Sequence, residues 1–254
     1  MRVIKNNNKE MKVAIVGGGP SGVSCAINLL KYAKISCRKI NVTIFESKNF
    51  TGEPRYNQCI GVLSPPIKEI IENNLNISFP THLIQRVIKG YHLFSDNKDV
   101  YLEHSGDELS YAVRRVNFDD FFLSEAIKLG INRITSRVTD IEFFPDKVVV
   151  YSDSSPSIEV DIVVGAFGLD DGSCHFFARS SNYTPPKFLE SVITKLHPAN
   201  QDDLEFYKDS IYAFLTSAKD IEFGAITPKG NHISINIAGS NVNSNSMKDF
   251  VDFL

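Results

Sequence analysis

The residues best suited to chemistry form a turn near the start of the chain, Gly17-Gly18-Gly19-Pro20-Ser21-Gly22, followed further on by an acid, Glu46. The pattern Gly17-x-Gly19-x-x-Gly22 asks for three positions without a side chain. The first glycine makes a tight turn, the second lets backbone approach a pyrophosphate, and the third lets a helix pack closely on a strand. A diphosphate seated there, over Pro20 and Ser21, meets free N–H groups and the positive end of a helix dipole. Glu46 can accept bonds from both ribose hydroxyls of an adenosine moiety and would repel a 2′-phosphate. The chemistry implied is capture of a dinucleotide, and FAD and NAD share the fingerprint.

That chemistry needs a strand before the turn and a helix after it. Residues 12–16 (KVAIV) are a short β-rich apolar run, and Val23, Ala26, Ile27 and Leu30 then recur at helical spacing, with Ala26 the small residue expected against a sheet. A second apolar run, residues 41–45 (NVTIF), stops at Glu46, so the opening 46 residues read as one βαβ unit with a right-handed crossover. Downstream, Ser64-Pro65-Pro66 reads as a capped helix start, and residues 86–104 read as a hairpin around Ser95-Asp96-Asn97-Lys98. Asn117 reads as the cap of a helix that Gly130 stops, with Phe118, Phe121 and Phe122 as core. Strands follow at 137–144, 147–151 and 158–164, and after Tyr183-Thr184-Pro185-Pro186 the pattern changes to short strands at 191–196, 211–215, 221–226 and 233–238. The expected fold is α/β: a Rossmann-like domain over 1–183, with a helix and hairpin inserted at about 64–110, then part of an antiparallel β-sheet substrate domain over 184–254. The run 246–254 reads as a helix begun without a stop signal, so the chain is expected to be C-terminally incomplete.

Bulk composition narrows the function class. A net charge of −3, with 27 basic residues scattered along 254, gives no electrostatic reason to bind nucleic acid. No run approaches the length of a spanning helix and residues 1–11 lack a signal-peptide core, so a cytoplasmic protein is expected. Cys25, Cys37, Cys59 and Cys174 show neither zinc nor disulfide spacing, and His175 and His197 read as surface or capping residues, so no metal is expected.

Further along, Asp161-Ile162-Val163-Val164-Gly165-Ala166-Phe167-Gly168 resembles the D-x-V-V-G-A-D-G signature of FAD-dependent hydroxylases and geranylgeranyl-reductase-like proteins. The stretch 111–119 (YAVRRVNFD) is similar to their v-x-R-x-x-F-D segment. Residues 58–64 (QCIGVLS) resemble the C-G-G-x-x-S segment of the reductase branch, and residues 223–230 (FGAITPKG) its y-g-W-x-F-P-K-g. The resemblance spans residue 11 to about 239. It implies FAD as cofactor, NAD(P)H as a possible external electron donor, Arg115 on the diphosphate or ribose with Arg114 able to exchange roles, backbone at Val138 near the adenine, and the loop Gly165 to Gly168 close to the cofactor. The candidate cofactor-binding set is therefore Gly17, Gly19, Pro20, Ser21, Gly22, Glu46, Ser47, Arg115, Val138, Gly165 and Gly168. Cys59 is a candidate proton donor, set against its reading as a packing residue.

Two departures stand out. Phe167 replaces the acid of the signature, so that contact is lost unless Asp170 or Asp171 substitutes. The family's later Gly-Asp motif, which binds the ribityl chain, is absent before Leu254. The resemblance implies hydride transfer through flavin N5 to or from a small lipid-like or aromatic molecule, with peripheral membrane contact left open. The alternatives are a flavin monooxygenase of the same fold and a non-catalytic FAD-binding protein.

Overall fold

The structure is a computed structural model that describes residues 9–50, 59–104, 106, 109–199, 201–217 and 220–253. Gln58, quoted above in the C-G-G-like stretch, lies outside the described residues.

In chain order, β1 (Met11–Val16) ends in the glycine turn, α1 (Pro20–Ile35) follows, and β2 (Ile40–Phe45) returns. Then come β3 (Val62–Leu63), α2 (Ile67–Glu69) continuing as a π-helical turn over Ile70–Asn74, β4 (Ile84–Ile88), β5 (Gly90–Ser95), β6 (Lys98–Glu103) and β7 (Ser110–Val113). The middle of the chain forms α3 (Arg115–Lys128), β8 (Asn132–Ile134), β9 (Val138–Phe143), β10 (Val148–Ser152), β11 (Ile158–Val160), β12 (Ile162–Gly165) and α4 (Asp171–Ser180). The last part forms β13 (Glu190–Leu196), α5 (Gln201–Phe206), β14 (Ser210–Leu215), β15 (Ile221–Pro228), β16 (Ile233–Gly239) and α6 (Ser244–Phe253).

These elements divide into two compact units, each made of two stretches of chain: residues 1–53 with 119–186, and residues 54–118 with 187–254. In the first unit the strands β12-β1-β2-β8 form a parallel sheet, β1 pairing with β2 from Met11↔Ile40 to Val16↔Phe45 and with β12 from Val13↔Ile162 to Val16↔Gly165. Parallel strands need crossovers, and α1 supplies the first, its buried face being Gly22, Val23, Ala26 and Ile27. The strands β9, β10 and β11 make a separate antiparallel sheet. A core of Ala14, Val16, Phe45, Val138, Ile141, Val150 and Phe176 joins residues from both sheets and α4. Each such large apolar side chain removed from water stabilises the unit by about 1.5–3 kcal/mol.

The acid that begins the Asp161 to Gly168 signature is a stitch in this sheet. Its carboxylate accepts from Lys12 N at 2.8 Å and from Lys9 Nζ at 2.9 Å, and the Lys12 amide bond, with Lys9 adding to it, holds the Asp161 carboxyl below the usual range.

In the second unit β13-β16-β15-β14-β5-β6 form one six-stranded sheet, antiparallel except where β14 runs parallel to β5, and β3-β7-β4 form a smaller one. The hairpin read at 86–104 is β5–β6, and through β14 it joins the same sheet as the strands after residue 187. An aromatic ladder of His92, Phe94, Tyr212 and Phe214 runs along that sheet, and Phe214 meets Phe250 of α6 edge-on at 5.7 Å. Gly224 makes room for Phe250, since a Cβ at that position would lie 2.2 Å from its ring.

Candidate functional site

In the first unit the glycine turn and the ends of the parallel strands frame a cavity of about 370 Å³ lined by Gly17, Glu46, Ser47, Val138, Phe167 and Asp170 among others. Each glycine of the turn has its own reason. Gly17 adopts φ +109°, disfavoured for any residue with a Cβ, and a Cβ there would lie 2.3 Å from Ala166 O. At Gly22 a Cβ would fall 2.0 Å from Gly17 O, so α1 sits directly on the turn that precedes it. Gly18 is pressed against the Glu46 side chain, 2.6 Å from an added Cβ. Gly19 differs, because a Cβ there would meet nothing within 4 Å.

Space at Gly19 lies beside uncapped donors. Gly19 is the N-cap of α1 and offers no side-chain bond, Pro20 fills the first helical position, and no acid lies in the first turn. The opening N–H groups thus have no anionic side chain to satisfy them, which is the arrangement that receives a phosphate. Glu46 Oε2 accepts from Gly18 N at 3.0 Å and Oε1 from Lys48 N at 2.8 Å. A carboxylate has about four lone-pair sites, so two remain for hydroxyls. The residues present fit a dinucleotide.

Phe167 and Asp170 both line the cavity. The Phe167 ring packs on Phe177 at 4.9 Å and on Tyr183 at 5.8 Å. Asp170 is nearby but engaged: Oδ2 caps α4 by accepting from Ser173 N at 2.8 Å, and Oδ1 pairs with Arg137 at 2.7 Å. Burial pushes the Asp170 carboxyl up, but the Ser173 and Arg137 contacts outweigh it and hold the group below its ordinary value. Arg137, Lys48 and Ser173 line the cavity and were missed from the sequence; the signal present was an Asp two positions before Gly172, which reads as a helix cap. Gly165 and Gly168 flank Phe167 without lining the cavity, and Gly168 takes φ +61°.

Arg115 and Cys59 belong to the second unit, where Arg115 Nη1 donates to Cys59 Sγ at 3.7 Å. They line another cavity, of about 300 Å³, together with Arg114, Lys195, His197, Lys229 and His232. The turn between β15 and β16, closed by Lys229 N donating to His232 O at 2.9 Å, presents the last two. Lys229 is 5% exposed and its Nζ donates to Ile60 O and to Val113 O. Burial lowers the Lys229 ammonium to about 8, with repulsion from Lys195 adding to it; burial likewise lowers the His232 imidazole to about 4, with Lys195 and Lys229 adding. An unfolded lysine keeps its proton to about 10.5, so between roughly pH 8 and 10 the unfolded chain binds more protons at this position and stability rises with pH. Urea unfolding midpoints measured across that window are expected to climb, and a Lys229→Met variant is expected to lose the climb.

Against known proteins, the family described as FAD-NAD(P)-binding matches residues 14–60. A geranylgeranyl diphosphate reductase of Synechocystis sp. is 25% identical over 256 aligned residues, covering 94% of this chain and 58% of that protein. A salicylate hydroxylase of Pseudomonas putida is 25% identical over 65% of this chain and 38% of its own length. This chain therefore spans less than two thirds of these relatives. Among solved structures, a geranylgeranyl bacteriochlorophyll reductase-like protein of Thermoplasma acidophilum superposes with a TM-score of 0.73 at 20% identity, over 96% of this chain and 61% of that one. Other solved chains of the same fold are in complex with FAD. The chain is homologous to geranylgeranyl diphosphate reductase and salicylate hydroxylase, and its fold is that of the FAD-binding Rossmann-type flavoproteins.

Proposed function

We propose that this chain is the FAD-binding part of an oxidoreductase that moves a hydride to or from a small organic molecule. The observation that carries the proposal is the open space at Gly19 beside an uncapped helix start, with Glu46 braced against the same turn. The protein's own atoms fill the volume around Gly17, Gly18 and Gly22, so the gap at Gly19 is room for a ligand.

In this reading the opening amides of α1 hold the diphosphate, the spare lone pairs of Glu46 hold the ribose, and Phe45, Val138 and Phe167 offer an apolar wall to the adenine. Flavin, when bound, supplies hydride exchange at its N5, and the protein's task is to place it and exclude water. The first unit is read as the cofactor unit and the second as the substrate unit. Arg115, Gly165 and Gly168 remain in the proposed cofactor set, and NAD(P)H is the proposed external donor. A cytoplasmic location goes with this reading: the four cysteines are free thiols, and among the described residues no helix is long and apolar enough to cross a membrane.

The similarity to a salicylate hydroxylase favours a second reading, in which the reduced cofactor activates oxygen. One experiment separates the alternatives. The purified protein is mixed with FAD, its visible spectrum recorded, and NAD(P)H added with and without oxygen. The expected result is uptake of flavin and bleaching by NAD(P)H. A protein that takes up no FAD overturns the proposal, and hydroxylated product formed with consumption of oxygen selects the second reading.

A further inference from the structure

The six-stranded sheet of the second unit ends in β6, with no strand on its far side among the described residues. Its six residues, Lys98 to Glu103, are all exposed, the apolar Val100, Tyr101 and Leu102 at 51%, 45% and 49%. The register with β5 says where the backbone groups of this strand point. His104 N donates to Lys89 O at 2.8 Å, and Leu102 stands opposite Tyr91 and Val100 opposite Leu93, so the alternation of an antiparallel pair turns Lys98, Val100 and Leu102 toward β5. The N–H and C=O groups of Asp99, Tyr101 and Glu103 therefore face outward, where no partner for them stands among the described residues.

Proteins usually guard an outermost strand with a proline, a bulge or charges along its middle. β6 has none of these: it pairs with β5 without a register shift, no proline interrupts it, and its charges, Lys98, Asp99 and Glu103, sit toward the ends. The apolar middle is two-sided. Tyr101 lies with His92 on one face, ring centroids 4.5 Å apart, and Val100 and Leu102 lie with Leu93 and Tyr91 on the other. An occupant that satisfies both the backbone groups and these side chains is extended chain.

We propose that the occupant is β6 of a second copy of this chain, paired antiparallel about a two-fold axis through Val100. Side chains that oppose each other must point to one face, so the allowed registers differ in steps of two residues. An axis through Asp99 would set that carboxylate against its own copy, and one through Tyr101 would set Asp99 against Glu103 of the second copy; like charges directly opposite repel. An axis through Leu102 would carry Lys98, Asp99 and Val100 past the end of the other strand. With Val100 at the centre, Asp99 and Tyr101 exchange N–H···O bonds with Tyr101 and Asp99 of the second copy, Lys98 lays its stem on Leu102, and Val100 meets Val100. Both copies of β6 are then used, so the assembly closes at two chains. It depends on neither the cofactor nor the reaction.

The test is sedimentation of the whole chain over a range of concentrations, beside Val100→Lys and two cysteine variants, Val100→Cys and Tyr101→Cys, the latter pair with the exposed Cys37 and Cys59 replaced by serine. A strand pair is a small interface, so the parent is expected to dimerise with a dissociation constant in roughly the micromolar range. Val100→Lys sets lysine against lysine and is expected to weaken the dimer about tenfold or more. Opposed residues of a non-hydrogen-bonded pair stand about 4.5 Å apart, within reach of a disulfide, so mild oxidation is expected to link Val100→Cys chains and to leave Tyr101→Cys chains single. Position 100 is exposed, so dilute Val100→Lys is expected to unfold at the temperature of the dilute parent; if it does not, the cysteine pair decides alone. A parent that stays monomeric at every concentration overturns the proposal and leaves β6 to a strand of another protein. A dimer indifferent to a folded Val100→Lys overturns it too, as does oxidation that links Tyr101→Cys in preference to Val100→Cys.

Discussion

Valine at position 19 is expected to leave the folding of the cofactor-free protein within about 1 kcal/mol of the parent while weakening FAD uptake by about 100-fold or more, equivalent to roughly 2.7 kcal/mol. The backbone at Gly19 has φ −72° and ψ −178°, extended geometry that any residue adopts, and among the described residues nothing but its chain neighbours lies within 4 Å of an added Cβ. Among the described residues an added Cβ displaces no protein atom, so the expected casualty of the substitution is a bound ligand. Gly22→Ala is the contrasting case. Its methyl would stand 2.0 Å from Gly17 O and 3.3 Å from the Ile15 side chain, so α1 must move off the sheet, at a cost of about 3 kcal/mol. Thermal unfolding with and without FAD reads both variants. A Gly19→Val protein that still takes up flavin like the parent would dismiss the phosphate seat, and one that unfolds like Gly22→Ala would show the position to be structural.

The second large effect is expected at Glu46. Glu46→Ala removes the carboxylate that braces Gly18 N and Lys48 N, and with it the proposed acceptor for ribose hydroxyls. Hydrogen bonds to a charged group contribute about 1.5–3 kcal/mol, so FAD affinity is expected to fall by roughly 10- to 150-fold. Glu46→Gln keeps one carbonyl acceptor and replaces the other with a donor. It should fall between parent and alanine, because one of the two backbone amides loses its partner. Flavin fluorescence titration ranks the three proteins, and equal affinities would remove Glu46 from the cofactor site.

How much of this was legible in the sequence depended on whether the signal was local. The opening βαβ unit was, since strand, glycine turn, helix and terminal acid follow one another within 46 residues; the strands read at 12–16 and 41–45 differ from β1 and β2 by one residue each. The helix read from an Asn117 cap begins two residues earlier, at Arg115, which places Arg115 inside the helix. The helix start read at Ser64-Pro65-Pro66 is weaker than expected: no side chain caps it, Pro66 stands before the first helical residue, and α2 passes after a single turn into a π-helical one. The helix α4 went unread because Gly172, Cys174 and His175 dilute its periodicity, although Asp170 caps it in the usual way. The cationic cavity was illegible for another reason. Its residues are far apart in the chain, and the pairing of β13 with β16 and the turn at Lys229 to His232 bring Lys195, His197, Lys229 and His232 together.

The parallel pairing of β5 with β14 bears on how the protein is made. Gly90 waits for Ser210, and the whole first unit's second stretch, residues 119–186, is synthesised in between. Until then the nascent hairpin β5–β6 shows a bare strand edge to its surroundings, with Tyr91, Leu93 and Phe94 along it, and such edges template aggregation. Closing so long a loop also slows the final step of folding relative to helix formation. Chaperone demand during translation should therefore fall on this hairpin, well before any cofactor is needed.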